Sequence, residues 1–201
     1  MDILLGLMLG FVTVTVLKRS EERQRIALLG GILRQYQLER HMAQLTEGYL
    51  RAAGEPDAQR AEPIWRHQEA TEAQVQRELQ GLVADLGEVW GERLRVSRWP
   101  VGIPMATRFF PQASFDFREL VQLHARGLAH VLRNEEGLSR KDRAYRATAE
   151  LLLFQHSCHW FCRSRAVASA RLLALHRTSY EQVLASVSPL TREAYRALTG
   201  V

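Results

Sequence analysis

Apolar residues enter this chain first as one unbroken run, Ile3 to Leu17, and afterwards at steps of three and four. The change of spacing divides it: residues 1–19 read as a membrane anchor and residues 20–201 as a cytosolic helical bundle domain. The run carries no charge and is followed at once by Lys18 and Arg19. About 15 residues at roughly 1.5 Å each give about 22 Å, short of the roughly 30 Å hydrocarbon core of a bilayer. Met1 at one end and a snorkelling Lys18 at the other would lengthen it. A secretory signal wants a basic leading region and a small-residue cleavage site; Asp2 precedes this run and no A-x-A pattern follows it. A single transmembrane helix is therefore expected. Lys18, Arg19, Arg23 and Arg25 flank only its C-terminal end, which places the remaining chain in the cytoplasm, on the inner (cytoplasmic) membrane. Gly6 and Gly10 have the Gly-x-x-x-Gly spacing that lets two spans pack as a homo-oligomer. A competing reading drops the membrane and lets Ile3–Leu17 drive oligomerisation in water.

From Ser20 to Ala53 the residues Ile26, Leu29, Leu33, Tyr36, Met42, Leu45, Tyr49 and Leu50 recur at helical steps, with Gly30-Gly31 a site for a kink or a close contact. Gly54 to Asp57 marks a turn. Pro63 is expected to open a second helix running to about Arg95, striped by Trp65, Val75, Leu79, Leu82, Leu86, Trp90 and Leu94, antiparallel to the first. Ser114 or Asp116 caps a third helix to about Asn134. Ser139 with Asp142 resembles a capping box. No Pro or Gly follows until Pro189, so one long helix is expected from Ser139 to His176. Tyr145, Ala149, Leu152, His156, Trp160 and Val167 fall on one face of it, and Leu151, Phe154, Cys158, Phe161 and Cys162 on the other. Such a helix is buried between neighbours. Thr178 and Glu181 suggest a capping box for a short helix. Ser188-Pro189 opens the last one, which ends at Gly200. Almost nothing alternates with period two, so the fold class is all-α: one N-terminal span, a long-helix antiparallel bundle and short C-terminal helices.

The segment Val96 to Ser114 breaks this pattern. Its three prolines forbid a regular helix, and irregular stretches of this length are often functional. Trp99, Phe109 and Phe110 either pack across the bundle as a strap or form a docking surface for a protein partner or lipid.

Composition adds less. Hydrophobic residues at 46% and charged ones at 24% are globular values, sufficient for a sizeable core. The net charge of +5 is carried almost wholly by arginine, since Lys18 and Lys141 are the two lysines. Arginine in place of lysine fits a GC-rich, bacterial genome. The charge is local: Ser139 to Arg177 holds eight basic residues against two acidic ones. Arg140, Lys141, Arg143, Arg163 and Arg165 are thus candidate contacts for lipid headgroups or an acidic protein. No nucleic-acid motif accompanies them, so nucleic acid is not an expected partner.

Cys158, His159 and Cys162 are the candidate metal ligands, for zinc, iron or haem. The two cysteines cannot bridge each other, because helical positions four apart hold their Cβ atoms about 5–6 Å apart against the roughly 3.5–4.5 Å of a disulfide. Free thiols fit a reducing compartment. Cysteine packs as a small hydrophobe, and a closed metal site would need ligands from His41, His67, His124 or His130. Gly-rich phosphate loops, a Gly-x-Ser-x-Gly elbow and the Glu-x-x-His pairs of di-iron bundles are all missing. The expectation is a non-enzymatic, membrane-anchored interaction or scaffold protein without a cofactor. The alternative is a metal- or haem-binding bundle, sensor or oxidoreductase, built on residues 156–162.

Overall fold

A computed structural model describes residues 2–201; Met1, expected at the outer end of the apolar run, lies outside them. Helix α1 (Asp2–Leu33) is continuous through Gly30-Gly31, and a Cβ on either glycine would meet open space. The glycines therefore do not interrupt the helix, and no neighbour packs closely on them. The break comes instead at Arg34–Gln37. There Tyr36 and Gln35 both donate to the Asp85 carboxylate across the bundle, and α2 (Leu38–Gly54) continues the descent.

A tight turn leads into α3 (Ala58–Gly87), which starts earlier than Pro63 suggested because Asp57 caps it, accepting from the Gln59 amide at 2.8 Å. Pro63 lies within the first two turns, where it forfeits one backbone bond and the helix runs through it. Helix α3 also stops eight residues before Arg95, leaving Trp90 73% exposed instead of on a core stripe. Helices α2 and α3 are antiparallel and laced by polar pairs: His41 Nδ1 lies 3.0 Å from Glu78, and Tyr49 donates to Glu72 at 2.6 Å.

A 3₁₀ turn, Gly91–Leu94, leads to strand β1 (Arg95–Ser97). Short helix α4 (Ala106–Phe109) and a further 3₁₀ turn, Pro111–Ala113, precede strand β2 (Ser114–Asp116). The strands pair antiparallel with Val96 opposite Phe115, a small sheet in an otherwise helical fold. Asp116 caps α5 (Phe117–Leu132) through the Arg118 amide.

Ser139 caps α6 (Arg140–Cys162) as expected. The long helix does not continue to His176. Arg163 leaves helical geometry (φ −138°, ψ −86°) and Ser164 caps a new helix, α7 (Arg165–His176), accepting from the Val167 amide. Helix α7 folds back along α6, with His156 Nε2 3.0 Å from Ser169 Oγ and His176 Nε2 3.0 Å from Gln155. The capping box of α8 (Tyr180–Ser186) is Ser179 with Gln182, one residue past the expected pair. Ser188 and Pro189 open α9 (Pro189–Thr199), which ends at Gly200 with φ 75°.

Helix α6 is the central stave. Arg25 on α1 donates to the Phe161 carbonyl at 3.3 Å, Phe117 on α5 stacks on Phe161 with ring centres 4.4 Å apart, and Glu150 accepts from the Ser188 amide at 3.0 Å. Buried Leu151, Leu153, Phe154, Trp160 and Phe161 face neighbours on several sides, which is why its apolar residues occupy more than one face.

Candidate functional site

Three regions carry the candidate residues. The first is the end of the bundle where α1 enters. Above it α1 stands alone: Ile3, Leu4, Leu5, Leu7, Leu9 and Phe11 are 67–82% exposed. The helix is long and apolar enough to cross a membrane, and its apolar window is 0% buried. The hydroxyls of Thr13 and Thr15 bond back to the Leu9 and Phe11 carbonyls at 2.8 Å, which satisfies them without water.

Just below, residues 98–113 wrap the entry point. Glu21 on α1 accepts the Met105 amide at 2.8 Å, and a Cβ on Gly102 would lie 3.2 Å from the Arg163 carbonyl and 3.4 Å from the Lys18 side chain. The Pro100 carbonyl accepts from the Ala166 amide at 2.9 Å, in the first turn of α7. Trp160 donates its indole N–H to the Ser97 carbonyl at 3.1 Å, and Arg98 donates to the Leu198 carbonyl at 3.1 Å. The cavity left between α1, the strap and the α6–α7 break holds about 30 Å³, the room of a single water molecule. It is a packed joint and not a ligand pocket.

Of the two readings of the strap's aromatics, packing across the bundle is only partly met. Trp99 is half-buried, with its ring centre 5.1 Å from that of Phe110, but Phe110 is 44% and Phe109 66% exposed. Val101 and Ile103 are exposed beside them. These two were not legible as site residues, because a valine and an isoleucine in an irregular segment carry no periodic signal.

The second region is a groove between α2 and the α6–α7 pair, of about 480 Å³, within the range of ligand and peptide clefts. Leu38, Met42, Leu50, Leu152 and Leu175 line it, with Glu39, Glu47 and Arg171 at its edges. Cys158 and His159 sit on its wall, and a neighbouring recess adds Cys162, Arg163 and Ile26. Burial pushes the Cys162 thiol up to about 11 and holds Cys158 well above its ordinary range, so both are protonated thiols in this surrounding. Burial, with Arg171 and Arg163 nearby, lowers His159. Among the described residues no three His, Cys, Asp or Glu side chains are placed to hold a metal ion. The groove exists because the chain breaks at residues 34–37 and 163–164, neither of which the sequence pattern announced.

The third region was not anticipated as a unit. His124 Nε2 lies 2.9 Å from Ser157 Oγ, which donates to the Leu153 carbonyl at 2.9 Å. The serine's lone pair therefore accepts from His124, and the proton sits on Nε2. A serine beside a histidine suggests a nucleophile and its base. Yet both are 1% exposed, and the hydroxyl proton is committed to a backbone carbonyl. The pair joins α5 to α6. His156, Tyr180 and Tyr195 surround it; His156 stacks on Tyr180 with ring centres 4.5 Å apart.

The basic candidates divide between the two ends of α6, which are about 34 Å apart for its 23 residues. At the far end Arg143 clamps Glu72 at 2.9 Å through both guanidinium nitrogens and donates to the Leu132 carbonyl. Arg140 pairs with Glu62. These two are occupied in joining α6 to α3 and α5, while Lys141 is exposed. At the near end Arg163 is exposed and Arg165 lies 5.6 Å over the Trp160 ring. The structure thus brings Arg163 and Trp99 to the α1 entry, with Phe110 against Trp99 and Arg165 over Trp160, sets Phe109 at the end of α4 in the strap, and leaves Arg140, Lys141 and Arg143 elsewhere. Set beside protein-family models, curated proteins and solved structures, the chain matches none of them.

Proposed function

We propose that this chain is a membrane-tethered helical-bundle protein whose work is interaction and not catalysis. The observation that carries the reading is the stretch Ile3–Leu17: apolar on every side and without a partner in the fold. Exposed apolar surface of this extent marks a membrane or a protein contact. A helix with its threonine hydroxyls internally bonded suits lipid. Lys18, Arg19 and Arg23 follow the run and Asp2 precedes it, so the bundle lies on the cytoplasmic face of the inner membrane.

The surface offered to a protein partner is the groove between α2 and α6–α7, where Leu50 and Leu175 are 71% and 60% exposed. Its apolar floor and mixed-charge rim fit an amphipathic helix.

The test is extraction of membranes with alkaline carbonate. The full chain stays in the pellet if it spans, and its release to the supernatant refutes the tether. Labelling of a cysteine introduced at exposed Gln59, from either side of sealed vesicles, reads the orientation.

A further inference from the structure

The span is short, and the strap sits where the missing length should be. Ile3–Leu17 covers about 22 Å of a hydrocarbon core near 30 Å, a deficit of about 8 Å. The next five residues of α1, Lys18 to Glu22, rise about 7 Å. It is to this turn and a half that the strap is bound: Glu21 holds the Met105 amide, and Lys18 lies against Gly102. The joint is tight, and the strap is also fixed to α6, α7 and α9 through Ser97, Pro100 and Arg98. It cannot swing away from the depth at which α1 sets it.

At that depth it shows apolar side chains to solvent. Val101, Ile103, Phe109 and Phe110 are 44–66% exposed, within ten residues of one another. Lys18, Arg19, Arg25, Arg108 and Arg163 lie on the same joint or beside it, against the two acids Glu21, which is engaged by the Met105 amide, and Glu22. Aromatic and aliphatic tips flanked by cations are the composition of an interfacial membrane contact, buried about 5–10 Å into the headgroup boundary.

We infer that residues 99–110 form a second, peripheral membrane contact, docked into the interface of an anionic bilayer beside the span and holding the bundle against it. The inference rests on the reading of Ile3–Leu17 as a span. It differs from a protein-docking strap in that its occupant is lipid, present whenever the tether is inserted.

The test uses the full chain in nanodiscs of phosphatidylcholine with phosphatidylglycerol, with Cys158→Ala and Cys162→Ala as background. Single cysteines carry an environment-sensitive fluorophore at Phe11 in the span, at Ile103 and Phe109 in the strap, and at Glu55 in the far loop. Lipids brominated on the upper acyl chain are the quencher. The expected result is loss of about half the emission at Phe11, Ile103 and Phe109, with none at Glu55. Replacing phosphatidylglycerol by phosphatidylcholine weakens quenching at Ile103 and Phe109 and leaves Phe11 unchanged. Quenching at Phe11 with none at Ile103 and Phe109 overturns the inference and leaves the tether standing, the strap then being free for a protein. Absence of quenching at Phe11 removes the tether itself, and the inference with it. Phe109→Ser with the label at Ile103 is the control against a labelling artefact: with the helical circular dichroism retained, quenching at Ile103 falls.

Discussion

His124 and His156 are held neutral inside the bundle. Burial pushes both imidazoles down to about 3, with the neighbouring His156 adding to the effect on His124, and His159 and Arg165 adding to that on His156. Their folded values lie below the ordinary 6.5 or so of the unfolded chain. The unfolded state therefore binds more protons between pH 3 and 6.5. The stability is fully present above that window and is lost as pH falls through it. At pH 5 the loss is about 2 kcal/mol for each histidine. Glu150 works in the opposite sense: burial raises its carboxyl, so its ionisation opposes folding as pH rises and does not account for an acid-side loss. Denaturant midpoints at pH 7 and pH 5 should therefore differ strongly for the native chain and less for His156→Gln. Equal differences for the two proteins would show that His156 is not the proton acceptor. A steric constraint of the same kind lies beside this cluster. A Cβ on Gly127 would fall 2.1 Å from Thr191 Oγ1 and 3.0 Å from Glu150 Oε2. Gly127→Ala must push α9 off α5, a destabilisation of about 1–3 kcal/mol that urea unfolding of the variant would reveal.

Some helix starts capped by a side chain were legible, while those at Asp57, Ser164 and Ser179 were not. Ser139 and Ser188 read as caps from the sequence and Asp116 as one of two candidates with Ser114, and α5, α6 and α9 begin at Asp116, Ser139 and Ser188. Gly200 was visible as a stop for the complementary reason, a left-handed residue after the last turn. The two breaks that shape the groove were not legible. Residues 34–37 contain no Gly or Pro; the helix ends there because Gln35 and Tyr36 are drawn to Asp85, a tertiary partner 49 residues from Tyr36. Arg163–Ser164 likewise lacks a breaker, and the long Pro-free stretch read as one helix. Ser164 competes as a cap, and the strap's Pro100 carbonyl takes the Ala166 amide. Gly30-Gly31 misled in the opposite direction, since propensity alone does not break a helix whose flanks are anchored. The Ser164 cap can be weighed directly. Ser164→Ala should cost about 1 kcal/mol and Ser164→Thr much less. Equal loss in both, read from chemical denaturation, would mean that packing and not capping turns the chain. The groove itself was invisible for the same reason, so Leu50 read only as part of a helical stripe and Leu175 carried no signal of its own. Leu50→Glu should abolish capture of a groove-binding partner while leaving the thermal midpoint within about 2 °C, because an exposed substitution moves stability by about 0.5 kcal/mol or less.

The molecule divides into a bundle that buries its own apolar faces and a helix that buries none of its own over Ile3–Leu17. These parts meet at one joint, Lys18 to Arg25 against the strap and the end of α6. Above the joint no side chain of the bundle touches the apolar run closely enough to bury it. Folding of the bundle should then be indifferent to which apolar sequence precedes Lys18, provided that the helix continues into Glu21 and Arg25. Exchanging Ile3–Leu17 for an unrelated uncharged span of equal length should leave the detergent-solubilised melting midpoint within about 2 °C. Replacing Glu21 by Ala should lower it, because the Met105 amide loses its acceptor, at about 1–3 kcal/mol. Gly6 and Gly10 separate a further consequence. Each has open space where a Cβ would go, so Gly6→Leu with Gly10→Leu cannot disturb a single copy. If the substituted protein migrates in native gels at a smaller mass than the parent, the glycines form a contact between two spans. If the two masses agree, the tether acts as a single helix, and any assembly of this protein proceeds through its bundle.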